Sequence, residues 1–199
     1  MIDGRQWLWT REARAGLSSL AVHARKRFAT EIAAAGATLD EIVARLKELP
    51  SCSIQEAIER IRAATRDFQP TPTQRSCSDI MSWEELLSLD PNIVTVGSHS
   101  VSHPILTTLT SSELEHEIGG SRHRLEDRIG TQVEHFCYPN GASNPPVVTL
   151  VARSYSSATH DRGGPMSPGA NRFLLPRIAA SPSTVRRFWR LNRWYPPAA

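Results

Sequence analysis

The sequence predicts an α/β fold with a parallel sheet, preceded by a helical region. After residue 81, strand patterns alternate with helix patterns, and this alternation is typical of βα units that form a parallel sheet. Before residue 69, apolar residues recur at spacings of three and four, which is the periodicity of helices. The chain has 199 residues, of which 40% are hydrophobic, so it can fill the core of one domain or of a domain with a smaller satellite.

Composition and charge exclude several classes of protein. The formal net charge of +3 is a mild excess that requires no polyanionic partner. No run approaches the roughly 18 apolar residues of a membrane span. No basic region followed by an apolar run marks a secretory signal, so the chain as given is not marked for export and its localisation stays open. Its 3 cysteines are too few and too widely spaced for a disulfide framework or a Cys-x-x-Cys zinc site.

The first 68 residues are predicted to form three or four short helices. One apolar face comprises Leu39, Ile42, Val43, Leu46 and Leu49, and a second comprises Ile54, Ala57, Ile58 and Ile61. Breaks between helices are expected at Gly16, Gly36 and Pro50. Prolines and polar residues then predict a linker over 69–80, because prolines remove hydrogen-bond donors and polar residues do not nucleate a core.

Strand and helix signals follow one another after the linker. A capping box predicts a short helix starting at Ser82. The β-branched run 93–96 predicts a buried strand. Thr110 and Gly130 mark the start and the end of a long helix with one apolar face and one charged face. The remaining elements are a strand over 133–138, a helix over 146–153 and a strand over 155–159.

Two histidines, His99 and His103, stand four residues apart directly after the predicted strand 93–96. Ligands of α/β proteins bind at the carboxyl ends of strands, where this segment falls. If the segment turns helical at once, both imidazoles project from one face and can share a cation. A zinc ion there would lower the pKa of a bound water to about 7. The spacing by itself favours capping or core histidines.

With its surroundings, the histidine pair resembles the polysaccharide deacetylase family, also called the NodB-homology or carbohydrate esterase family four. The resemblance covers roughly 81–178. Its motifs are Trp83-Glu84-Glu85, His99 with His103, Tyr138-Pro139-Asn140-Gly141, Ser157-Ala158-Thr159 and Leu175-Pro176-Arg177-Ile178. The resemblance implies a partial or distorted (β/α) barrel. It also implies metal-dependent removal of acetyl groups from N-acetylated polysaccharides, usually with zinc.

The resemblance also assigns roles to individual residues. His99 and His103 would hold the metal together with an Asp. The predicted catalytic residues are Tyr138 and Asn140, and the predicted substrate-binding residues are Pro139 and Gly141. The backbone N–H of Asn140 would stabilise the developing oxyanion, and Gly141 would let the backbone come close to the substrate. A Pro-Asn-Gly stretch alone would predict only a turn, but its occurrence with the histidine pair favours a site.

The family motif Thr-Phe-Asp-Asp-Gly, which supplies the base and the third metal ligand, is not found in the sequence. Asp3 is preceded by Ile2 where the base would stand, so we do not assign it as the ligand. Asp161, just after the last predicted strand, is the nearest alternative carboxylate. Cys137 occupies the position of an Arg that orients the base in many relatives. The resemblance therefore predicts a deacetylase truncated at its N-terminus, with impaired activity and an exposed sheet edge.

The other histidines have no assigned catalytic role: His160 is expected at the rim, and His116, His123 and His135 lie on or beside a charged face. The predicted domains are a helical insertion over 1–68, the linker over 69–80, a deacetylase-like core over 81–180 and a C-terminal helix or tail over 181–199. Two other functions stay open. One is a non-catalytic carbohydrate-binding or truncated remnant. The other is single-stranded nucleic-acid binding by the basic and aromatic stretch 186–195, which an amphipathic helix explains better. The sequence leaves the polymer, the metal and the oligomeric state open.

Overall fold

The structure is a computed structural model that describes residues 7–161 and 163–177. The chain divides into two compact units, Met1–Ile93 and Val94–Ala199. This division differs from the predicted linker at 69–80, and the predicted domain assignment stays a prediction. The predicted C-terminal helix over 181–199 and the residues around Asp3 lie outside the described residues. Among the helices in the described ranges, none has the length and apolar character needed to cross a membrane.

Six helices make up the described part of the first unit. They are α1 (Trp9–Ser19), α2 (Val22–Ile32), α3 (Leu39–Leu46), α4 (Ser51–Ala64), α5 (Pro72–Ser78) and α6 (Trp83–Leu87). The four helices before residue 68 agree with the predicted periodicity. The predicted apolar faces of α3 and α4 supply Ile42, Leu46 and Ile61 to a core that also contains Leu17 of α1. Burial of these faces, rather than intrinsic propensity, stabilises such short helices.

The predicted helix break at Gly16 is wrong, because Gly16 lies inside α1. A Cβ atom at this position would come 2.5 Å from Cγ2 of Ile61 on α4. Glycine is needed here for the close approach of two helices rather than for a turn. The breaks at Gly36 and Pro50 are confirmed: Gly36 has φ +84° between α2 and α3, and Pro50 is the N-cap of α4.

The stretch 69–80, predicted to be a linker, contains helix α5. Thr71 accepts a hydrogen bond from the Gln74 N–H, and the Gln74 side chain accepts one from the Thr71 N–H, so the pair forms a capping box. Pro72 occupies the first helical position, where a missing N–H costs no helical hydrogen bond. The proline and polar residues that suggested a linker are thus also the residue types with which a helix begins.

The second unit contains a parallel two-stranded sheet and two long helices. Its described elements are a 3₁₀ turn (Leu106–Thr108), α7 (Ser111–Ile129), β1 (His135–Cys137), a 3₁₀ turn (Pro139–Gly141), α8 (Pro145–Ser154) and β2 (Ser157–Thr159). Strands β1 and β2 pair in parallel, with Phe136 opposite Ala158. The predicted alternation from α7 to β2 and the parallel pairing are confirmed, although both strands are shorter than predicted. With two named strands among the described residues, a barrel is not confirmed.

Helix α7 has the ends that its sequence predicts. Thr110 and Glu113 form the capping box, and Gly130 ends the helix in the left-handed conformation with φ +71°. Its apolar side buries Leu114, Ile118 and Leu125. Helix α8 begins after Asn144, whose side chain accepts a hydrogen bond from the Val147 N–H at 3.1 Å.

The buried strand predicted over 93–96 is wrong. Ile93 is 81% exposed and lies in a turn in which its N–H donates to the Asp90 carbonyl at 3.0 Å. Pairing with β1 begins only at Ser98, whose N–H donates to the His135 carbonyl at 2.8 Å and whose carbonyl accepts from the Cys137 N–H at 2.9 Å. The β-branched run favours extended backbone, but a strand also needs a neighbouring strand to pair with. Strand β1 begins at His135 and pairs with Ser98, so it does not extend far enough to pair with residues 93–96.

Replacing Gly130 by Ala should destabilise the protein by about 1 kcal/mol, because an alanine at φ +71° is strained. Gly120→Ala, in the interior of the same helix, is the matched control. A Cβ at Gly120 would meet its nearest neighbour, Nδ1 of His116, at 3.6 Å, so this change should stabilise by about 0.5–1 kcal/mol. Urea unfolding measures both free energies. Equal shifts of the same sign would contradict the assignment of Gly130 as the left-handed cap.

Candidate functional site

The loop that follows the Ser98 pairing brings the two predicted metal ligands together. The ring centroids of His99 and His103 lie 4.9 Å apart, with the ring planes at 72°. His103 is buried, whereas His99 is exposed. The segment does not turn helical, because Ser100 and His103 adopt positive φ angles of 69° and 60°. A tight loop with two left-handed residues therefore achieves the juxtaposition that the four-residue spacing suggested.

A hydrogen bond fixes the orientation of the His99 ring. Its Nδ1 lies 2.6 Å from the carbonyl oxygen of Cys137 on β1. A carbonyl oxygen only accepts, so Nδ1 carries the proton and Nε2 holds the lone pair in the neutral ring. The loss of part of the water around its ring lowers the pKa of His99, but hydrogen bonds to Cys137 raise this pKa by more, and the net pKa is raised. Metal-binding histidines commonly use one ring nitrogen in this way while the other binds the ion.

Glu117 on α7 holds the loop between the two histidines. Its Oε2 accepts hydrogen bonds from the backbone N–H groups of Val101 and Ser102 at 2.8 and 2.9 Å. Its Oε1 accepts from the Ser102 hydroxyl at 2.5 Å. The side chain is 8% exposed, and three donors satisfy its carboxylate, as a buried carboxylate requires. Inside the loop, the His103 N–H donates to the Ser100 hydroxyl at 3.0 Å.

The sequence interpretation missed Glu117 because it assigned the polar residues of this helix to a solvated face. A signal was nevertheless available. Glu117 follows Leu114 by three positions and precedes Ser121 by four, so it lies within the apolar stripe of α7. A carboxylate in such a stripe needs buried partners, and the Ser100–Ser102 loop provides them.

A second buried contact ties Ser98 to α7. The hydroxyl oxygens of Ser98 and Ser121 lie 2.7 Å apart. The Tyr155 hydroxyl donates to the Ile118 carbonyl at 2.7 Å and lies 3.3 Å from the Ser121 hydroxyl. This chain of hydroxyl groups connects the residue before the histidine loop with the helix that holds the loop.

The predicted site residues that follow β1 form a tight 3₁₀ turn. Tyr138 is 1% exposed, its hydroxyl donates to the Phe173 carbonyl at 2.9 Å, and burial raises its pKa to about 12. Pro139 is also buried. Asn140 adopts φ 53°, and its buried Nδ2 has no hydrogen-bond partner among residues 7–161 and 163–177. The predicted roles of these residues stay predictions, and the Tyr138 hydroxyl is committed to a backbone contact.

Gly141 cannot be replaced by a larger residue without rearrangement. It has φ +63°, and a Cβ there would come 1.8 Å from Oδ1 of Asp161. The Asp161 carboxylate thus packs directly on the turn after β1, at the end of the sheet where β2 also finishes. This places the alternative carboxylate of the sequence analysis beside the predicted substrate-binding turn.

Cys137 has a partner that the sequence did not indicate. The Arg177 guanidinium donates to the Cys137 Sγ at 3.1 Å. Burial raises the pKa of the thiol, but hydrogen bonds from His99, Thr159 and Arg177 together outweigh it and lower the pKa to about 7. An arginine distant in sequence therefore contacts the position at which, by the family resemblance, many relatives carry one.

The residues present supply only part of a zinc site. His99 and His103 can contribute two imidazoles, but no group of three His, Cys, Asp or Glu side chains converges on one point within the described ranges. Catalytic zinc sites use three protein ligands and a water. The predicted zinc centre is therefore incomplete in this part of the chain, and the metal ligation by His99 and His103 stays a prediction.

Replacing Glu117 by Gln should destabilise the protein by about 1.5–3 kcal/mol, because the amide accepts at one atom only and places N–H groups against buried donors. Urea unfolding measures the loss, and the nuclear Overhauser effect between the His99 and His103 rings reports their contact. Glu115→Gln, on the exposed side of the same helix, should stay within about 0.5 kcal/mol of the original protein. Equal stability of the two variants would contradict the role given to Glu117.

Alkylation of Cys137 by iodoacetamide should rise with pH around a midpoint of about 7, because only the thiolate reacts. Arg177→Gln removes a donor to the sulfur and should move the midpoint upward, toward the ordinary value of 9.0. Peptide mass spectrometry at a series of pH values measures the rate at this cysteine. Arg172→Gln is the control, since Arg172 lies over the Phe173 ring, and it should leave the midpoint unchanged. An unchanged midpoint in Arg177→Gln would contradict the contact.

Comparison with known proteins finds the same family that the sequence motifs resemble. The family model for polysaccharide deacetylase matches residues 75–156, a span that contains the histidine loop, Glu117 and the turn after β1. Among curated proteins, no match is found.

Three solved structures illustrate the similarity. BC0361, a polysaccharide deacetylase from Bacillus cereus, is 24% identical, with a TM-score of 0.49 over 68% of this chain and 46% of its own. BA0330 from Bacillus anthracis, assigned to the same class, is 21% identical, with a TM-score of 0.50 over 68% of this chain and 46% of its own. The deacetylase PplD from Streptococcus pyogenes, solved with acetate, is 15% identical, with a TM-score of 0.48 over 86% of this chain and 79% of its own.

The matched region spans less than half the length of the two Bacillus proteins. The likeness to BA0330 concerns the fold alone. The sequence match contains the motifs at 83–85, 99–103 and 138–141, whereas the motifs at 157–159 and 175–178 lie beyond it. The resemblance predicted from those motifs is therefore confirmed for residues 75–156, which match the polysaccharide deacetylase family.

Proposed function

We propose that this chain carries the histidine-pair portion of a metal-dependent hydrolase that removes acetyl groups from N-acetylated carbohydrate polymers. The observation that carries the proposal is the pairing of the His99 and His103 rings at the end of the sheet, with Nδ1 of His99 bonded to the Cys137 carbonyl. This hydrogen bond leaves Nε2 of His99 with its lone pair, as a metal ligand requires. The family match over 75–156 supports the class of substrate.

The overall reaction is the hydrolysis of an amide. Water adds to the acetyl carbon, the carbon–nitrogen bond breaks, and acetate and a free amine leave. A divalent cation bound by His99 and His103 would supply Lewis-acid polarisation of the acetyl carbonyl. The chain itself would offer the backbone N–H of Asn140 to the developing oxyanion, in a turn that Tyr138 holds through its bond to Phe173. Pro139 and Gly141 would border the sugar.

We further propose that these 199 residues alone hydrolyse such substrates poorly. The sequence contains no pair of consecutive aspartates, which in the family supplies the base and a metal ligand. A two-imidazole site binds zinc weakly, and water at such a site lacks a nearby proton acceptor. Asp161 is the carboxylate best placed to substitute, because it packs against Gly141 beside the proposed oxyanion-binding turn.

A second function is carbohydrate binding without hydrolysis. The absence of a third converging ligand within the described residues favours it. The same turn and histidine loop would then contact an N-acetylated sugar without a reaction. Binding of nucleic acid by this chain is not part of the proposal, since the stretch 186–195 that suggested it lies outside the described residues.

Zinc titration by calorimetry, paired with acetate release from chito-oligosaccharides, tests the proposal. We expect weak zinc binding that His99→Ala or His103→Ala abolishes and that His116→Ala, an exposed change on α7, leaves intact. Acetate release should be close to background. Efficient release would contradict the proposed impairment, and zinc binding that does not depend on either histidine would contradict the proposed metal site.

Binding of the same oligosaccharides separates the two functions. Both functions predict that N-acetylated oligomers bind more tightly than their deacetylated counterparts. Only the metal-dependent hydrolase predicts that zinc strengthens this binding and that His99→Ala removes the gain. Equal binding of acetylated and deacetylated oligomers would contradict the proposed substrate class.

A further inference from the structure

The helical unit contains a half-open cavity of about 550 Å³ that the proposed hydrolytic site does not use. It lies among α1, α4, α5 and the segment that connects α4 to α5. This volume falls within the roughly 300–1,000 Å³ of small-molecule sites. Gly16 forms part of its wall, where α1 and Ile61 of α4 come so close that no larger residue is accommodated.

Some of the residues that line the cavity are apolar or aromatic. Trp7 and Phe68, which are half-buried, line the cavity together with the buried Ile61. The Trp7 indole N–H donates to Oδ1 of Asp79 at 2.7 Å, so the ring is held at its edge. Aromatic faces held in this way offer a flat surface against which an apolar ring can lie.

The charged residues that line the cavity include more positive than negative groups. Arg62 donates two hydrogen bonds to the Glu12 carboxylate, at 2.5 and 2.8 Å, so these two charges compensate each other. Asp79 accepts from Trp7. Among the residues that the structure describes, neither Arg66 nor Arg75 has an acidic partner within salt-bridge distance. Arg66 and Arg75 both line the cavity and attract anions, which guanidinium groups bind through paired hydrogen bonds.

We propose that this cavity binds a small organic anion, with its negative group at Arg66 and Arg75 and a flat apolar body against Trp7 and Phe68. Sulfonate, carboxylate and phosphate groups share the required chemistry. The aromatic wall adds the requirement for an apolar body, because a small hydrophilic anion would leave Trp7 and Phe68 in contact with water. The proposal concerns the first unit alone and stands independently of the proposed hydrolysis.

Calorimetric titration of the full chain with naphthalenesulfonate at low ionic strength tests the proposal. Two other probes each lack one feature of this ligand: naphthalenemethanol lacks the charge, and methanesulfonate lacks the apolar body. We expect each to bind at least about tenfold more weakly than naphthalenesulfonate. Added salt should weaken naphthalenesulfonate binding, because the attraction to the arginines is screened. No binding of naphthalenesulfonate, or equally tight binding of either control probe, would overturn the proposal.

The double variant Arg66→Gln with Arg75→Gln should lose at least about tenfold in affinity for naphthalenesulfonate. Both side chains are exposed, so the variant should fold normally, as circular dichroism would show. The double variant Arg27→Gln with Arg153→Gln is the matched control, because it removes the same charge from exposed positions outside the cavity wall. An equal loss in both variants would reduce the effect to net charge and overturn the proposal.

Discussion

The histidine site depends on the hydrogen bonds that the buried carboxylate of Glu117 accepts from the loop between the two histidines. A loop with left-handed conformations at Ser100 and His103 stores backbone strain, and such conformations persist only where the surroundings hold them. Glu117 supplies that hold by accepting two backbone N–H groups and one hydroxyl from the residues between the histidines. Because α7 is a long helix with well-formed caps at both ends, the carboxylate reaches the loop from a rigid support.

The sheet supplies the other half of the site through backbone atoms. Ser98 exchanges hydrogen bonds with β1, and the Cys137 carbonyl next in line orients His99. The turn after β1 then places Asn140 and Gly141 beyond the strand end, with Asp161 packed on Gly141 from the end of β2. Parallel strands end at the same edge of a sheet, which is why residues about forty positions apart meet there.

Glycine illustrates why local patterns were ambiguous. Gly130 ends α7 and Gly36 joins α2 to α3, both with positive φ, as their sequence context suggested. Gly16 has the same identity but lies inside a helix, where it allows Ile61 of another helix to approach. The difference comes from a neighbour 45 positions away in sequence, so no local rule distinguishes the two uses.

By itself, the sequence determined the helical first region, both ends of α7, the alternation from α7 to β2, and the similarity of residues 75–156 to the polysaccharide deacetylase family. These features depend on periodicity, caps and short motifs, which are local properties of the chain. Only the tertiary structure decided that Ile93 is exposed, that Glu117 is buried, and that Arg177 contacts Cys137. Strand pairing, burial of charge and contacts between distant residues depend on partners supplied by the fold, and neighbouring residues in the sequence do not specify those partners.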